Sequence, residues 1–343
     1  MTGLPGVAIA ADDLTGATDA LAAFAARGWS CRVVLDATQL RPSRDGVAQG
    51  IDTASRASSL AATGREAVGR IARHLAGAET AFLKVDSLLR GHMASDLAAL
   101  RQDWPRVVVA PAFPAHGRTF SGERALAVVA DLADHGLEPV HVKLGCDAAL
   151  LARGGLLVVE AEVDDDLRRA VTGQGPTLWV GSAGLAGVLA EPGGAASRPA
   201  VPPRELPVLT VVGSRTALAR RQVQEALRGR DDLRHVDGLE ATDGPGDLVV
   251  SLPAGGGPDD VSLVRALARE LRGLDDRFGA LVLVGGDTAR EVLAAFEVTE
   301  LDVVGEIEPG TALSVDPAGR AVVTKSGSFG DDSALRRIHE HLA

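Results

Sequence analysis

The stretch AIAADDLTGATDAL, from Ala8 to Leu21, decides the fold class. It opens with consecutive apolar residues, which are typical of a strand buried on both faces of a sheet. Asp12 and Asp13 follow directly, and a helical pattern begins after them. Adjacent carboxylates repel each other and are rarely buried unpaired. This strand-to-helix turn is therefore either a solvated helix cap or a site that needs negative charge.

The composition limits the class of protein and its partners. The chain has 343 residues, 46% of them hydrophobic, which is enough for two domains with their own cores. A net charge of -11 argues against nucleic acid or an anionic membrane as a partner. The N-terminus lacks a signal-peptide pattern, and Cys31 and Cys146 share no motif spacing. We expect a soluble, cytoplasmic protein, and the sequence leaves a homo-oligomer open.

Short apolar runs alternate with helical patterns in the first half, which indicates a largely parallel sheet with helices on both sides. The predicted strands are Val7–Ala10, Arg32–Leu35, Ala81–Val85, Val107–Ala110, Leu156–Val159 and Leu178–Val180. The predicted helices are Ala17–Arg27, Arg65–Ala76, Ala94–Gln102 and Asp165–Val171.

A segment rich in Pro, Gly and Ala, from Glu191 to Pro207, interrupts this alternation and is the best linker candidate. The alternation then resumes, with predicted strands Val208–Val212, Leu248–Leu252 and Leu281–Val284 and predicted helices Thr216–Arg228, Pro258–Arg272 and Thr288–Phe296. We therefore predict an α/β protein of two domains, 1–190 and 208–343, joined by a linker over 191–207. Each is expected to be a largely parallel sheet flanked by helices, with a cleft between the domains.

Three strand-to-helix turns of the first half are dense in polar side chains, and ligands of open α/β sheets bind at such turns. Their sequences are ADDLTGATD, KVDSLLRGH and PAFPAHGRTFSG, which offer Asp12, Asp13, Asp19, Lys84, Asp86, Ser87, Arg90, His116 and Arg118. Arginines can bind a carboxylate or phosphate through two hydrogen bonds, and aspartates can accept from sugar hydroxyls. The set suits a small polyhydroxylated acid. Each residue also has a simpler interpretation: Asp13 as a helix cap, and Lys84 with Asp86 as a surface ion pair.

The second half instead has glycine-rich turns, in which backbone N–H groups can approach phosphate. These turns lie in VVGSRTALARRQ, LVLVGGDTAREVL, EIEPGTALSV and TKSGSFGDDS. The chain has no Gly-Lys dipeptide, and therefore no Walker A loop, and no G-x-G-x-x-G follows a strand. A nucleotide would have to be held by another arrangement.

Taken in order, these motifs resemble those of the four-carbon acid sugar kinase family over nearly the whole chain. ADDLTGATD, KVDSLLRGH, PAFPAHGRTFSG, VGSAGLAGVLA, VVGSRTALARRQ, GGDTA and TKSGSFGDDS match its blocks. Leu88 and Asp96 depart from the family pattern, which usually has Thr and Glu at these positions, and this affects the expected substrate more than the reaction type.

The resemblance implies a sugar-acid-binding N-terminal domain and an ATP-binding C-terminal domain. It implies transfer of the ATP γ-phosphate to the terminal hydroxyl of threonate, erythronate or an oxo-tetronate, with Mg²⁺. The substrate-binding residues would be Asp13, Lys84, Asp86, Ser87, Arg90 and Arg118. The ATP-binding residues would be Ser214, Gly285, Gly286, Asp287, Thr288 and Gly327.

For the mechanism, we expect Asp13, or otherwise Asp12, to orient or deprotonate the attacking hydroxyl. Arg90 and Arg118 would hold the substrate carboxylate or neutralise the transferred phosphate. Two alternatives stay open: another transferase or an aldolase-like enzyme for a small hydroxy acid, and a non-catalytic protein that binds sugar acid and nucleotide. Phosphate transfer from ATP distinguishes them.

Overall fold

The computed structural model describes residues 4–100, 104–143, 145, 148–172, 175–194, 197, 199–238, 244–252 and 261–343. The chain divides into two compact units, Met1–Ala196 and Ser197–Ala343. The domain limits drawn from the sequence stay predictions. Cys146, linker residues 195, 196 and 198, and the predicted helix ends 101–102 and 258–260 lie outside the described residues.

The first unit alternates strands and helices. Its strands are β1 (Val7–Ala11), β2 (Ser30–Val34), β3 (Val47–Asp52), β4 (Thr80–Lys84), β5 (Arg106–Ala110), β6 (Pro139–Val142), β7 (Gly155–Val159) and β8 (Thr177–Gly181). Its helices are α1 (Leu14–Ala25), α2 (Arg65–Ala76), α3 (Met93–Leu100), α4 (Glu123–Asp134), α5 (Ala148–Leu151), α6 (Asp164–Ala170) and α7 (Ala183–Leu189).

These strands form a parallel sheet in the order β2-β3-β1-β4-β8-β5-β7-β6. The central strands are buried along their whole length, because helices cover both faces. The chain leaves β1 towards β2 and leaves β4 towards β5, which are opposite directions in the sheet. The carboxyl ends of β1 and β4 therefore form a topological switch point, the usual place for a ligand in an open α/β sheet.

The second unit continues the alternation. Its strands are β9 (Val208–Val212), β10 (Leu233–Asp237), β11 (Asp247–Ser251), β12 (Ala280–Val284), β13 (Glu300–Glu308), β14 (Thr311–Val315) and β15 (Ala321–Lys325). Its helices are α8 (Ala217–Leu227), α9 (Val261–Leu271), α10 (Gly286–Ala295) and α11 (Ala334–Leu342). Valines of β9, β11, β12 and β15 pack with α8 and α11 in one core.

Its strands are ordered β10-β11-β9-β12-β15-β14-β13, and the first five are parallel. The chain leaves β9 towards β10 and β12 towards β13, so a second switch point lies at their carboxyl ends. The fold class is confirmed: both units are α/β with largely parallel sheets. One prediction is wrong: EIEPGTALSV was expected to be a glycine-rich turn that opens a helix, but it forms the antiparallel β13–β14 hairpin.

Candidate active site

Asp13 is the N-cap of α1, as the helix-cap interpretation expects. Its Oδ1 accepts from the Gly16 backbone N–H at 2.7 Å, and its Oδ2 accepts from Thr15 Oγ1 at 2.8 Å. Asp12 precedes it, and both side chains are buried. Two neighbouring carboxylates in this position require a cation.

That cation is Arg56, which the sequence analysis did not identify. Arg56 Nε and Nη2 donate to the two Asp12 oxygens at 3.0 and 2.9 Å, and Nη1 donates to Asp13 Oδ2 at 2.6 Å. Arg56 follows β3, which lies beside β1 in the sheet. One guanidinium thus bridges both carboxylates, which accounts for their presence in a buried turn.

The two aspartates differ in their electrostatics. Burial, with a smaller contribution from the charge of Asp13, raises the pKa of Asp12 from 3.8 to about 6, in spite of the lowering effect of Arg56. Burial acts against the charged form of Arg56, but Asp13 and Asp12 outweigh it and raise the arginine pKa. Asp12 therefore changes charge close to neutral pH while its partner stays cationic.

The second turn places three charged residues beside this pair. Lys84 ends β4 opposite Ala11, and its buried Nζ donates to the Val85 carbonyl at 3.2 Å. Asp86 Oδ2 accepts from Arg90 Nε at 2.5 Å. Burial raises the pKa of Asp86, but the hydrogen bond from Arg90 and the charges of Arg56, Arg90 and Lys84 together outweigh it, so the net effect is a lowered pKa. The interpretation of Lys84 and Asp86 as a surface pair is wrong, since both are buried.

The third turn, after β5, is linked to the second by arginines. Arg118 Nη1 donates to Ser87 Oγ at 2.5 Å. Arg124, at the start of α4, donates to the carbonyls of Ser87 and Thr119. Burial lowers the pKa of Arg118, and the charges of Asp86 and Arg90 also act on it, so these turns form one electrostatic group. The structure therefore brings together the residues that the sequence analysis expected to bind the substrate or to catalyse: Asp12, Asp13, Lys84, Asp86, Ser87, Arg90 and Arg118.

The glycine turns of the second unit also converge, at the carboxyl ends of β9, β12 and β15. The Gly285 N–H donates to the Lys325 carbonyl at 2.8 Å, and Gly285 has a φ of 116°, which favours glycine. Thr216 Oγ1 donates to the Gly327 carbonyl at 2.9 Å and lies 3.3 Å from Ser214 Oγ.

Close packing leaves no space for larger residues at these turns. A Cβ at Gly327 would overlap the Ser214 side chain, and one at Gly213 would overlap Thr288. Asp287 and Thr288 lie in the first turn of α10, directly after Gly285 and Gly286. The nucleotide-side residues named from the sequence thus meet at the second switch point, beside a helix N-terminus that can face phosphate.

Two possible features are absent from the part of the chain that the structure describes. It contains no cluster of three or more His, Cys, Asp or Glu side chains placed to hold a metal ion. Its helices include none long and apolar enough to cross a membrane.

Solved structures confirm the fold. A crystal structure of a Salmonella typhimurium LT2 protein superposes with a TM-score of 0.75 at 20% identity, covering 98% of this chain and 99% of that one. A Haemophilus influenzae protein of the DUF1537 family superposes with a TM-score of 0.70 at 18% identity, covering 98% and 100%.

Sequence comparisons extend over both units. The chain matches the family description "Sugar-binding N-terminal domain" over residues 7–141 and "Nucleotide-binding C-terminal domain" over residues 257–335. It is 33% identical to the D-threonate kinase of Cupriavidus necator, with 95% of each chain covered. It is 31% identical to the D-threonate kinase of Bordetella bronchiseptica, with 99% of this chain and 98% of the relative covered. The chain therefore belongs to the four-carbon acid sugar kinase family, and it is a phosphotransferase with an alcohol group as acceptor.

Proposed function

We propose that this protein transfers the γ-phosphate of ATP to the terminal hydroxyl of a four-carbon sugar acid, and that D-threonate is the first substrate to test. The observation that carries the proposal is the charged group at the β1/β4 switch point. Arginines, which can bind a carboxylate, lie there beside aspartates, which can accept hydrogen bonds from hydroxyls. A sugar acid carries both a carboxylate and several hydroxyls. The names of the curated relatives support the same substrate class.

In this proposal the cations bind the anionic parts of the reactants. Arg90 is exposed and Arg118 is half-buried, so both can turn towards a ligand, and the buried Lys84 lies at the start of the turn that carries Arg90. A guanidinium can bind a carboxylate through two parallel hydrogen bonds. Asp86 and Ser87 hold Arg90 and Arg118 in place before the substrate binds.

We place Asp12 ahead of Asp13 as the group that orients or deprotonates the attacking hydroxyl. A general base works best when its pKa lies near the working pH, and Asp12 has a pKa of about 6. Both aspartates accept from Arg56, but Asp13 also accepts from Gly16 and Thr15 as the cap of α1. The sequence favours Asp13, and a comparison of both variants decides between them.

The second unit would hold ATP at Ser214, Gly285, Gly286, Asp287, Thr288 and Gly327. Backbone N–H groups at the start of α10 suit phosphate oxygens. Mg²⁺ in kinases is usually held by one or two carboxylates together with the phosphates, so the Asp287 carboxylate fits as its protein ligand. Bound Mg²⁺ would neutralise charge on the transferred phosphoryl group.

An ADP-release assay on the purified chain tests the function. D-Threonate, D-erythronate and 2-oxo-tetronate would be compared with glycerate, which lacks one carbon. We expect ADP release that depends on a four-carbon acid and on Mg²⁺. Binding of sugar acid and ATP without any ADP release would instead support the non-catalytic alternative.

A further inference from the structure

The segment that carries Arg56 is fastened at two points to one buried carboxylate. Asp96, on α3, is 3% exposed. Its Oδ2 accepts from Ser55 Oγ at 2.5 Å, and its Oδ1 accepts from the Leu60 backbone N–H at 2.6 Å. Ser55 directly precedes Arg56, and Leu60 begins the short 3₁₀ helix that follows. Asp96 therefore holds both ends of residues 55–60.

The same segment adopts a backbone conformation that other contacts must maintain. Ala54 has a φ of 52°, in the left-handed region that alanine rarely adopts. On its N-terminal side, Thr53 Oγ1 donates to the Ala11 carbonyl at 2.8 Å. On its C-terminal side, the Arg56 N–H donates to the Asp12 carbonyl at 3.0 Å. The position of the Arg56 guanidinium thus depends on a strained turn at Ala54. The hydrogen bonds of Asp96 to Ser55 and Leu60 hold the residues that follow this turn.

We infer that Asp96, acting through Ser55, is a positioning residue that holds the Arg56 guanidinium between Asp12 and Asp13 in the geometry needed for sugar-acid binding. This inference rests on the proposed function. Asp96 accepts hydrogen bonds from Ser55 and Leu60, and it would affect the substrate through the position of Arg56.

Both oxygens of the Asp96 carboxylate accept a hydrogen bond from this segment. Ser55 and Leu60 each present a donor to Asp96, and an asparagine has only one oxygen to accept with. Its NH₂ group cannot pair with the Leu60 N–H and could only donate to a Ser55 hydroxyl that has turned round, so the charge-assisted hydrogen bond at one end of the segment would be lost. Burial raises the pKa of Asp96, and the Ser55 and Leu60 hydrogen bonds oppose this effect.

Asp96→Asn tests the inference, with Asp166→Asn as the matched control. Asp166 also accepts from two backbone N–H groups of the first unit, those of Glu162 and Val163. We expect Asp96→Asn to raise KM for D-threonate roughly 10-fold, the loss typical of a hydrogen bond that acts on a charged group, with KM for ATP unchanged. The control should leave both constants unchanged.

The pH profile separates positioning from a loss of stability alone. Asp12 faces Arg56, Asp13 and Lys84, and of these Arg56 lowers its pKa most. A displaced Arg56 would lower it less, so the acid limb of kcat/KM should move to higher pH in Asp96→Asn. An unchanged acid limb and an unchanged KM for D-threonate, even with a lower Tm, would overturn the inference.

Two further measurements apply if Asp96→Asn does not fold or the wild type does not turn over D-threonate. If Asp96→Asn does not fold, Ser55→Ala, which removes one of the hydrogen bonds to Asp96, should itself raise KM for D-threonate. The NMR resonance of the Arg56 Nε–Hε group, assigned by its loss in Arg56→Lys, should shift and exchange faster with solvent in Ser55→Ala. An unmoved resonance would contradict the positioning role, whereas an inactive wild type would contradict only the proposed function.

Discussion

Arg56 and Asp12 form a two-point ion pair, with Nε to Oδ2 at 3.0 Å and Nη2 to Oδ1 at 2.9 Å, although they lie 44 positions apart in the chain. The pair lies at the carboxyl end of β1, where the sheet reverses its winding direction. It places a cation and a titratable carboxylate side by side at the position where an open α/β sheet takes its ligand.

Asp12→Asn should lower kcat by roughly 10²–10⁴-fold, the usual contribution of a general base, because asparagine cannot take the hydroxyl proton. Affinity for ATP should stay unchanged, since Asp12 belongs to the sugar-binding unit. Steady-state kinetics with D-threonate and ATP measure both.

Asp13→Asn is the matched control for that variant, because asparagine is as good an N-cap as aspartate. We expect its kcat to fall less. A larger loss in Asp13→Asn would exchange the two roles, and near-normal turnover in both would leave the turn as a helix cap only.

The pH dependence of the free energy of unfolding should also reflect the ionisation of the Asp12 carboxyl group. Its pKa rises from 3.8 to about 6 on folding, so its contribution to stability is present below the lower value and is lost as the pH rises through the higher one. Relative to wild type, Asp12→Asn should therefore gain up to about 3 kcal/mol in the free energy of unfolding across this interval. Urea unfolding of both proteins at each end of the interval measures the change. A difference that does not vary with pH would place the pKa of Asp12 near its ordinary value.

Arg56→Lys should raise KM for the sugar acid by roughly 10-fold or more and leave KM for ATP unaltered. Lysine keeps the positive charge but cannot bridge two carboxylates with a planar fork of donors. Arg168→Lys is the control, since Arg168 also pairs with two carboxylates, those of Asp165 and Glu191, on the exposed surface of the same unit. Equal kinetics for Arg56→Lys and wild type would remove Arg56 from the substrate site.

Gly285→Ala should weaken ATP binding by roughly 10-fold or more. Its φ of 116° disfavours any side chain, and a Cβ would lie 3.0 Å from Thr288 Oγ1. Gly319→Ala is the matched control: Gly319 has a φ of 86° but no atom within 4 Å of an added Cβ. Calorimetry with ATP compares the two variants, and similar affinity losses in both would mean that backbone strain alone causes the effect.

Most of the architecture could be predicted from the sequence, because its central strands are continuous apolar runs. The end of β1 at Asp12 and Asp13 and the glycine turns after β9 and β12 were located from this pattern. β3 was missed, because Gln49 and Gly50 interrupt its apolar character. Arg56 was missed for the same reason, since a turn is recognised only when the strand before it is recognised.

The edge of the second sheet and the electrostatics of the site depend on tertiary contacts. EIEPGTALSV contains Pro309 and Gly310, which close a hairpin, and Gly310 has a φ of 80°. A glycine turn between strands and one before a helix look alike in sequence. The raised pKa of Asp12 likewise follows from burial and from the charge of Asp13, against the lowering effect of Arg56, and all three are features of the folded chain.

The most direct test of the central claim is the ³¹P NMR spectrum of the products formed from ATP and D-threonate. The proposal predicts ADP together with a phosphomonoester resonance split by the two protons of the terminal methylene. A resonance split by a single proton would place the phosphate on a secondary hydroxyl and contradict the proposed regiochemistry. Inorganic phosphate alone, or no change in ATP with any four-carbon sugar acid, would contradict the assignment of this chain as a sugar-acid kinase of that class.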